Sequence, residues 1–126
     1  MSYRTPRARA AYLGSAHDGV HHWWTIKLTS YALVPLTFLF VIPFAGVLGE
    51  GREAMLSLYG NPFHAIIATL FVSVTFYHLY LGLQVIVQDY IHDKGQLMAA
   101  HVAAMSVCGL GGFAGVFAIL KIAFMG

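Results

Sequence analysis

His78 lies near the middle of a long run of residues without Asp, Glu, Lys or Arg. Ionisable side chains are costly inside such apolar segments and are usually functional there. Helical periodicity places mostly apolar residues on its face, and Gly82, one turn along, leaves room for a flat macrocycle. That face comprises Phe71, Val74, Thr75, Gly82, Val85 and Asp89. Neutral imidazole ligates haem iron well, so the pattern fits a b-type haem; a hydrogen bond from His78 to a neighbouring helix is the alternative.

Asp89 and Tyr90 end the same segment, about 16 to 18 Å beyond His78 if the chain is helical. A phenol can donate a hydrogen bond to a quinone carbonyl, and an adjacent carboxylate can orient the quinone or pass a proton. On spacing alone, an interfacial tyrosine beside a solvated aspartate is the favoured interpretation.

The other histidines carry weaker signals. His64 precedes His78 by 14 residues, a spacing that fits two stacked haems or, more simply, a histidine near the membrane interface. His101 is expected to make a hydrogen bond near the start of the last apolar segment. Cys108 is the only cysteine, so any haem is held without a covalent thioether link.

A histidine-rich segment precedes the first apolar run. No carboxylate or cysteine completes a convincing metal site there. We therefore expect His17, His21 and His22 to be solvent-exposed at the membrane interface. The adjacent Trp23 and Trp24 are typical of an anchor at headgroup level.

The elements that must position these residues are membrane helices. The chain has 126 residues, of which 59% are hydrophobic and 10% charged, whereas soluble domains have about 25% charged residues. Three stretches lack acidic and basic residues, namely 28–49, 54–88 and 95–120, and each exceeds the roughly 20 residues that cross a bilayer. We therefore predict one all-α membrane domain over 1–126, with transmembrane helices at about 28–48, 63–90 and 97–120, and exclude a water-soluble enzyme.

The basic residues predict the orientation of the chain. The N-terminal side of the predicted bundle carries Arg4, Arg7, Arg9, Lys27 and Lys94, and the opposite side carries Arg52 and Lys121. By the positive-inside rule, the N-terminus and the segment 1–27 are cytoplasmic, without a cleaved signal peptide. The net charge of +2 does not suggest nucleic acid as a partner.

Proline and glycine predict local features of the helices. Pro35 and Pro43 are expected to bend the first span, and Asn61-Pro62 is a typical helix start after a loop over 49–61. The short connection near residue 93 makes the second and third spans antiparallel neighbours. Gly111 and Gly115 form a small-residue face on which another helix can pack closely.

Three sequence features together resemble a known family. They are the segment His78-Leu-Tyr-Leu-Gly-Leu-Gln-Val-Ile-Val-Gln-Asp89-Tyr90, the segment Gly14-Ser-Ala-x-x-Gly-x-x-His-Trp-Trp24, and Phe63-His64-Ala65 at the start of the second span. The chain is similar to the D-type hydrophobic membrane anchor of succinate dehydrogenase, also called complex II or succinate:quinone oxidoreductase. The resemblance covers nearly the whole chain.

The resemblance implies roles for individual residues. His78 is the axial ligand of haem b, shared with a histidine of the companion C-type cytochrome b anchor subunit. Tyr90 hydrogen-bonds ubiquinone, and Asp89 lies beside it in the quinone pocket. Lys27 stands near the haem propionates or the quinone, where relatives commonly have arginine, and His21 lines the same region.

The resemblance also implies a division of labour in an inner (cytoplasmic) membrane complex. This subunit is not catalytic by itself. A flavoprotein subunit with FAD oxidises succinate, an iron–sulfur subunit passes the electrons on, and quinone is reduced where that subunit meets the anchors in the lipid.

Other functions remain open from the sequence. The chain could be a cytochrome b anchor of fumarate reductase or of another membrane dehydrogenase, with His64 and His78 binding two haems. A small transporter built from oligomerised units, or a purely structural scaffold, would also explain the kinked helices and packing glycines. A scaffold would leave His78 unexplained. Transporters generally place an acidic residue within a span, and none of the three predicted spans contains one between its ends.

Overall fold

The computed structural model describes the backbone of residues 15–125 and the side chains of residues 20–125. The predictions for Arg4, Arg7, Arg9 and the His17 side chain lie outside this part. The described chain is all-helical, in the order α1 (Ser15–Val47), α2 (Arg52–Gly60), α3 (Pro62–Tyr90) and α4 (Lys94–Met125). Three segments are long and apolar enough to cross a membrane, namely Val20–Val47, Pro62–Tyr90 and Lys94–Met125.

Helix α1 begins well before the predicted start of the first span at residue 28. It runs without interruption from Ser15 and continues through both Pro35 and Pro43. The prediction placed the start of the helix where the uncharged stretch begins, just after Lys27, whereas the helix itself starts at Ser15. Histidine, tryptophan and lysine are all compatible with helical backbone, and no proline or turn sequence separates Ser15 from Pro35.

The prediction of a loop over 49–61 is wrong, because the short helix α2 lies within this range. Gly49 and Gly51 have φ of +89° and +97°, a backbone conformation that glycine adopts without strain, and they lie in the turn between α1 and α2. The following residues, from Arg52 to Leu56, are good helix formers. Tyr59 is buried against the bundle, and this burial raises the pKa of its phenol.

The starts of α3 and α4 are fixed by side-chain caps. The Asn61 side chain accepts a hydrogen bond from the Phe63 N–H at 3.0 Å, with Pro62 in the first turn, as the sequence predicts. Asp93 does the same for α4, since its carboxylate accepts from the Gln96 N–H at 3.1 Å. Satisfying the free N–H groups of the first turn allows each helix to begin at these residues.

Helix α3 is central and packs between α1 and α4. Phe71 stacks on Phe40 of α1, with ring centroids 4.5 Å apart, whereas Phe76 contacts Gly111 and Gly112 of α4. The predicted antiparallel pairing of the second and third spans is confirmed, as is the close packing at Gly111. Few side chains are buried in the described part, and α1 exposes large apolar residues such as Phe38 and Ile42.

Candidate functional site

The most specific polar contact between α1 and α3 joins Thr29 to His78. The Thr29 Oγ1 lies 2.7 Å from Nδ1 of His78, 2.8 Å from the carbonyl oxygen of Ile26 and 3.0 Å from that of Thr25. A hydroxyl has one hydrogen, which these carbonyls can accept, so its oxygen is placed to accept the Nδ1–H of His78. This tautomer leaves a lone pair on Nε2.

The arrangement of His78 is the one that metal-binding histidines usually show. A hydrogen bond to one ring nitrogen fixes the tautomer and the ring orientation, and the other nitrogen binds the metal. No cluster of three or more His, Cys, Asp or Glu side chains occurs in the described part of the chain. A metal ion held by protein ligands alone is therefore not supported there, whereas haem iron needs only one protein ligand on each face.

The face of α3 around His78 changes from covered to uncovered along the helix. Toward the start of α3, Phe71 is half-buried under Phe40. Toward its end, Gly82 is exposed, and a Cβ built on it meets nothing within 4 Å. Val85, further along the same face, is 37% exposed. A flat apolar group can therefore approach the backbone of α3 beside His78, as the sequence predicts for haem.

Asp89 and Tyr90 lie at the end of α3. Both are exposed, Tyr90 to 80%, and Tyr90 lies about 18 Å along the helix from His78. The hydrogen bonds of the described residues do not connect them to His21 or Lys27. Their position at one end of the bundle is compatible with the predicted quinone contact.

Lys27 lies close in depth to His78 but on another side of α1. It precedes Thr29 by two residues, which is about 3 Å of rise and about 200° of rotation, so it points away from α3. Its Nζ lies 4.9 Å from the ring centroid of Trp23 in a cation–π contact. Lys27 is thus available to a group on the outer side of α1.

The structure distinguishes two neighbouring histidines on α1. His21 is exposed, whereas His22 is half-buried and its Nε2 is buried without a hydrogen-bond partner among the described residues. His22 lies within about 20° of Thr29 on the helical wheel and shares the face toward α3. Sequence reasoning missed His22 and Thr29 as neighbours of the site, and their seven-residue spacing was the available signal.

The remaining histidines of α3 and α4 are engaged in other contacts. His64 packs edge-on against Phe63, with centroids 5.4 Å apart. His101 bridges α4 to α3, as expected of a hydrogen-bonding histidine. Its Nε2 lies 3.2 Å from the Tyr80 hydroxyl and 3.1 Å from Nε2 of Gln84, which also donates to that hydroxyl at 3.0 Å.

Comparison with known proteins decides the family. A family model described as the succinate dehydrogenase/fumarate reductase transmembrane subunit matches residues 1–119. The chain belongs to this family. It is a multi-pass membrane anchor subunit, and the other subunits of the complex are its partners.

Curated relatives agree with this assignment. The succinate dehydrogenase hydrophobic membrane anchor subunit of Paracoccus denitrificans is 36% identical over 124 residues, which cover 88% of this chain and 96% of the relative. The subunit of the same name from Rickettsia bellii is 30% identical over 91 residues, covering 71% of each chain. The one from Rickettsia typhi is 26% identical over 78 residues, covering 62% of each. No solved structure matches the chain significantly.

Proposed function

We propose that this anchor subunit binds haem b jointly with the companion C-type anchor and forms one wall of the ubiquinone-reduction site of an inner-membrane succinate:quinone oxidoreductase. The observation that carries the proposal is that Nδ1 of His78 contacts Thr29, while Nε2 has no hydrogen bond to the described residues. The family and its curated relatives support the assignment to succinate dehydrogenase.

His78 would hold the haem iron through Nε2, and Thr29 fixes the orientation of its ring. The resemblance to D-type anchors implies that a histidine of the companion subunit would hold the same haem. The exposed apolar residues of α1, among them Phe38 and Ile42, give that subunit a surface to cover. When bound, haem b supplies a one-electron redox centre between the helices.

Tyr90 and Asp89 contribute to the quinone site at the cytoplasmic end of α3. The Tyr90 hydroxyl donates a hydrogen bond to the quinone carbonyl that gains negative charge on reduction. Asp89, the preceding residue, orients the head group or delivers a proton. Lys27 and His21 lie on the same half of the bundle, and the Lys27 ammonium would meet a propionate or the quinone on the outer side of α1.

The remaining cofactors belong to the partner subunits. FAD in the flavoprotein would supply the chemistry that removes two electrons from succinate, and the iron–sulfur subunit would carry them to quinone at the membrane surface. All three relatives described above are named succinate dehydrogenase subunits. This supports succinate oxidation over fumarate reduction, and the contact of His64 with Phe63 gives no support to a second haem.

Purification of the assembled complex through this chain tests the proposal. In mild detergent, we expect one b-type haem per flavin in a reduced-minus-oxidised difference spectrum, together with succinate-dependent reduction of ubiquinone. A colourless complex that still reduces quinone would refute haem binding alone. A complex with haem but without flavin or succinate oxidation would instead refute the assignment to succinate dehydrogenase.

A further inference from the structure

Two cationic side chains line one cavity at the end of the bundle opposite Tyr90. Arg52 begins α2, and Lys121 lies near the end of α4. Both border a cavity of about 440 Å³ between these helices. The other lining residues are apolar, namely Met55, Leu56, Ala118, Ile122 and Met125.

The fold itself does not require positive charge at this cavity. Arg52 occupies the first turn of α2, where the helix dipole disfavours a cation. Arg52 and Lys121 are both exposed, and the nearest carboxylates in sequence, Glu50 and Glu53, do not line the cavity. The site therefore combines two cations with an apolar floor at the level where the helices leave the membrane.

We propose that this cavity binds an anionic phospholipid. The planar guanidinium of Arg52 suits two oxygens of a headgroup phosphate, and the Lys121 ammonium adds a point charge. The acyl chains lie along the methionine, leucine and isoleucine side chains of the floor. Two cations above an apolar floor match the acidic headgroup and the hydrocarbon tail of one such molecule. Such a lipid would join α2 to α4.

The chemistry favours a lipid over a free anion. A soluble phosphate would use the two cations but would leave the apolar floor exposed. A zwitterionic lipid such as phosphatidylcholine would cover the floor, but its choline cation would oppose the positive charges of Arg52 and Lys121 and weaken the attraction of its phosphate to them. Only a molecule with an acidic head and a hydrocarbon tail satisfies both parts of the cavity.

Lipid retention by the assembled complex tests this proposal. The complex is reconstituted into phosphatidylcholine nanodiscs containing phosphatidylglycerol, extracted gently, and its bound lipids are counted by native mass spectrometry. We expect wild type to retain phosphatidylglycerol in preference to phosphatidylcholine. Each of Arg52→Gln and Lys121→Gln should weaken retention about fivefold, and the double variant roughly thirtyfold, since each basic residue contributes similarly.

Lys94→Gln is the matched control, because it removes one positive charge at the other end of α4. An equal loss in this variant, or equal retention of both lipids by wild type, would overturn the site. Loss of a partner subunit from the double variant, with lipid retention unchanged, would instead show that protein covers the cavity. Co-purification of the flavoprotein subunit with each variant reports that the complex is assembled, and the single variants serve if the double variant does not assemble.

Discussion

The two faces of α3 meet their neighbouring helices differently. On the α4 side the contact is close: a Cβ built on Gly111 would lie 2.6 Å from Phe76 Cε1, and one on Gly115 would lie 2.9 Å from Val72 Cγ1. Small residues allow helices to approach in this way inside a membrane. On the α1 side the contact is looser, and Gly82 faces open space.

The histidines at the two interfaces differ in their hydrogen-bond partners. His101 uses Nε2 in hydrogen bonds to Tyr80 and Gln84. His78 makes its contact through Nδ1, with Thr29, and keeps Nε2 available. His101 has two side-chain partners on α3 and so joins α3 to α4. His78 has one partner and lies one turn from the open space beside Gly82, an arrangement suited to binding a further group.

The largest effect is expected at the close interface. Gly111→Leu places a side chain where the Phe76 ring lies, and overpacking of this kind costs about 1–3 kcal/mol or more. The yield of assembled complex should fall about tenfold or more. The control is Gly109→Leu on the same helix, since a Cβ there meets nothing within 4 Å. Similar yields of the two variants in a solubilised-complex assay would show that this interface is not tightly packed.

A substitution of Tyr90 tests the exposed end of α3. This end lies beyond both the close packing against α4 and the contact of His78 with Thr29. Tyr90→Phe removes one hydrogen-bond donor to a developing charge, so succinate–quinone reductase activity should fall about 10- to 100-fold. Assembly and the haem spectrum should be unchanged. Tyr77→Phe, on the same helix and 49% exposed, should retain full activity. Unchanged turnover in Tyr90→Phe would remove this residue from the mechanism.

Thr29→Val tests the looser interface with little change in side-chain volume. The Nδ1–H of His78 would lose its acceptor, so the ligand becomes less basic and less well oriented. We expect a more positive haem midpoint potential and about tenfold weaker haem retention. The control is Thr37→Val on the same helix, because the Thr37 hydroxyl bonds only to the Leu33 carbonyl. Potentiometric titration of this control should find no shift in the haem midpoint potential. Identical potentials in both variants and wild type would separate Thr29 from the haem.

The smallest effect is expected from Gln84→Leu. It removes one donor from the cluster with Tyr80 and His101, and interhelical hydrogen bonds in membranes contribute about 0.6 kcal/mol on average. A slightly lower Tm of the complex should accompany an unchanged haem spectrum. Gln88→Leu, one turn further on, should leave both unaltered. A larger spectral change in Gln84→Leu than in Thr29→Val would reverse the functional assignment of the two faces.

Much of this arrangement follows from the sequence because its signals are local or periodic. The uncharged stretches locate the three long helices, and Asn61 and Pro62 mark the start of α3. The central position of His78 predicts a functional role for it. The start of α1 at Ser15 was missed because Lys27 limits the uncharged stretch but does not interrupt the helix. Helix α2 was missed because flanking glycines and charged residues are typical of loops.

The contacts of His78 with Thr29 and of His101 with Tyr80 could not be predicted in detail. They join residues 49 and 21 positions apart, so they depend on how the helices pack rather than on any repeat within one of them. The choice between His21 and His22 has the same origin. Adjacent residues on a helix differ by about 100° in direction, and the sequence does not say which of them faces α3.

Imidazole rescue of His78→Gly tests the central claim most directly. The account predicts that the complex purified from this variant lacks the b-type haem spectrum and that added imidazole, by occupying the space vacated by the side chain, restores it. His101→Gly should keep the wild-type spectrum without imidazole. An unaltered haem spectrum in His78→Gly before imidazole is added would contradict the account, because another residue would then be the ligand.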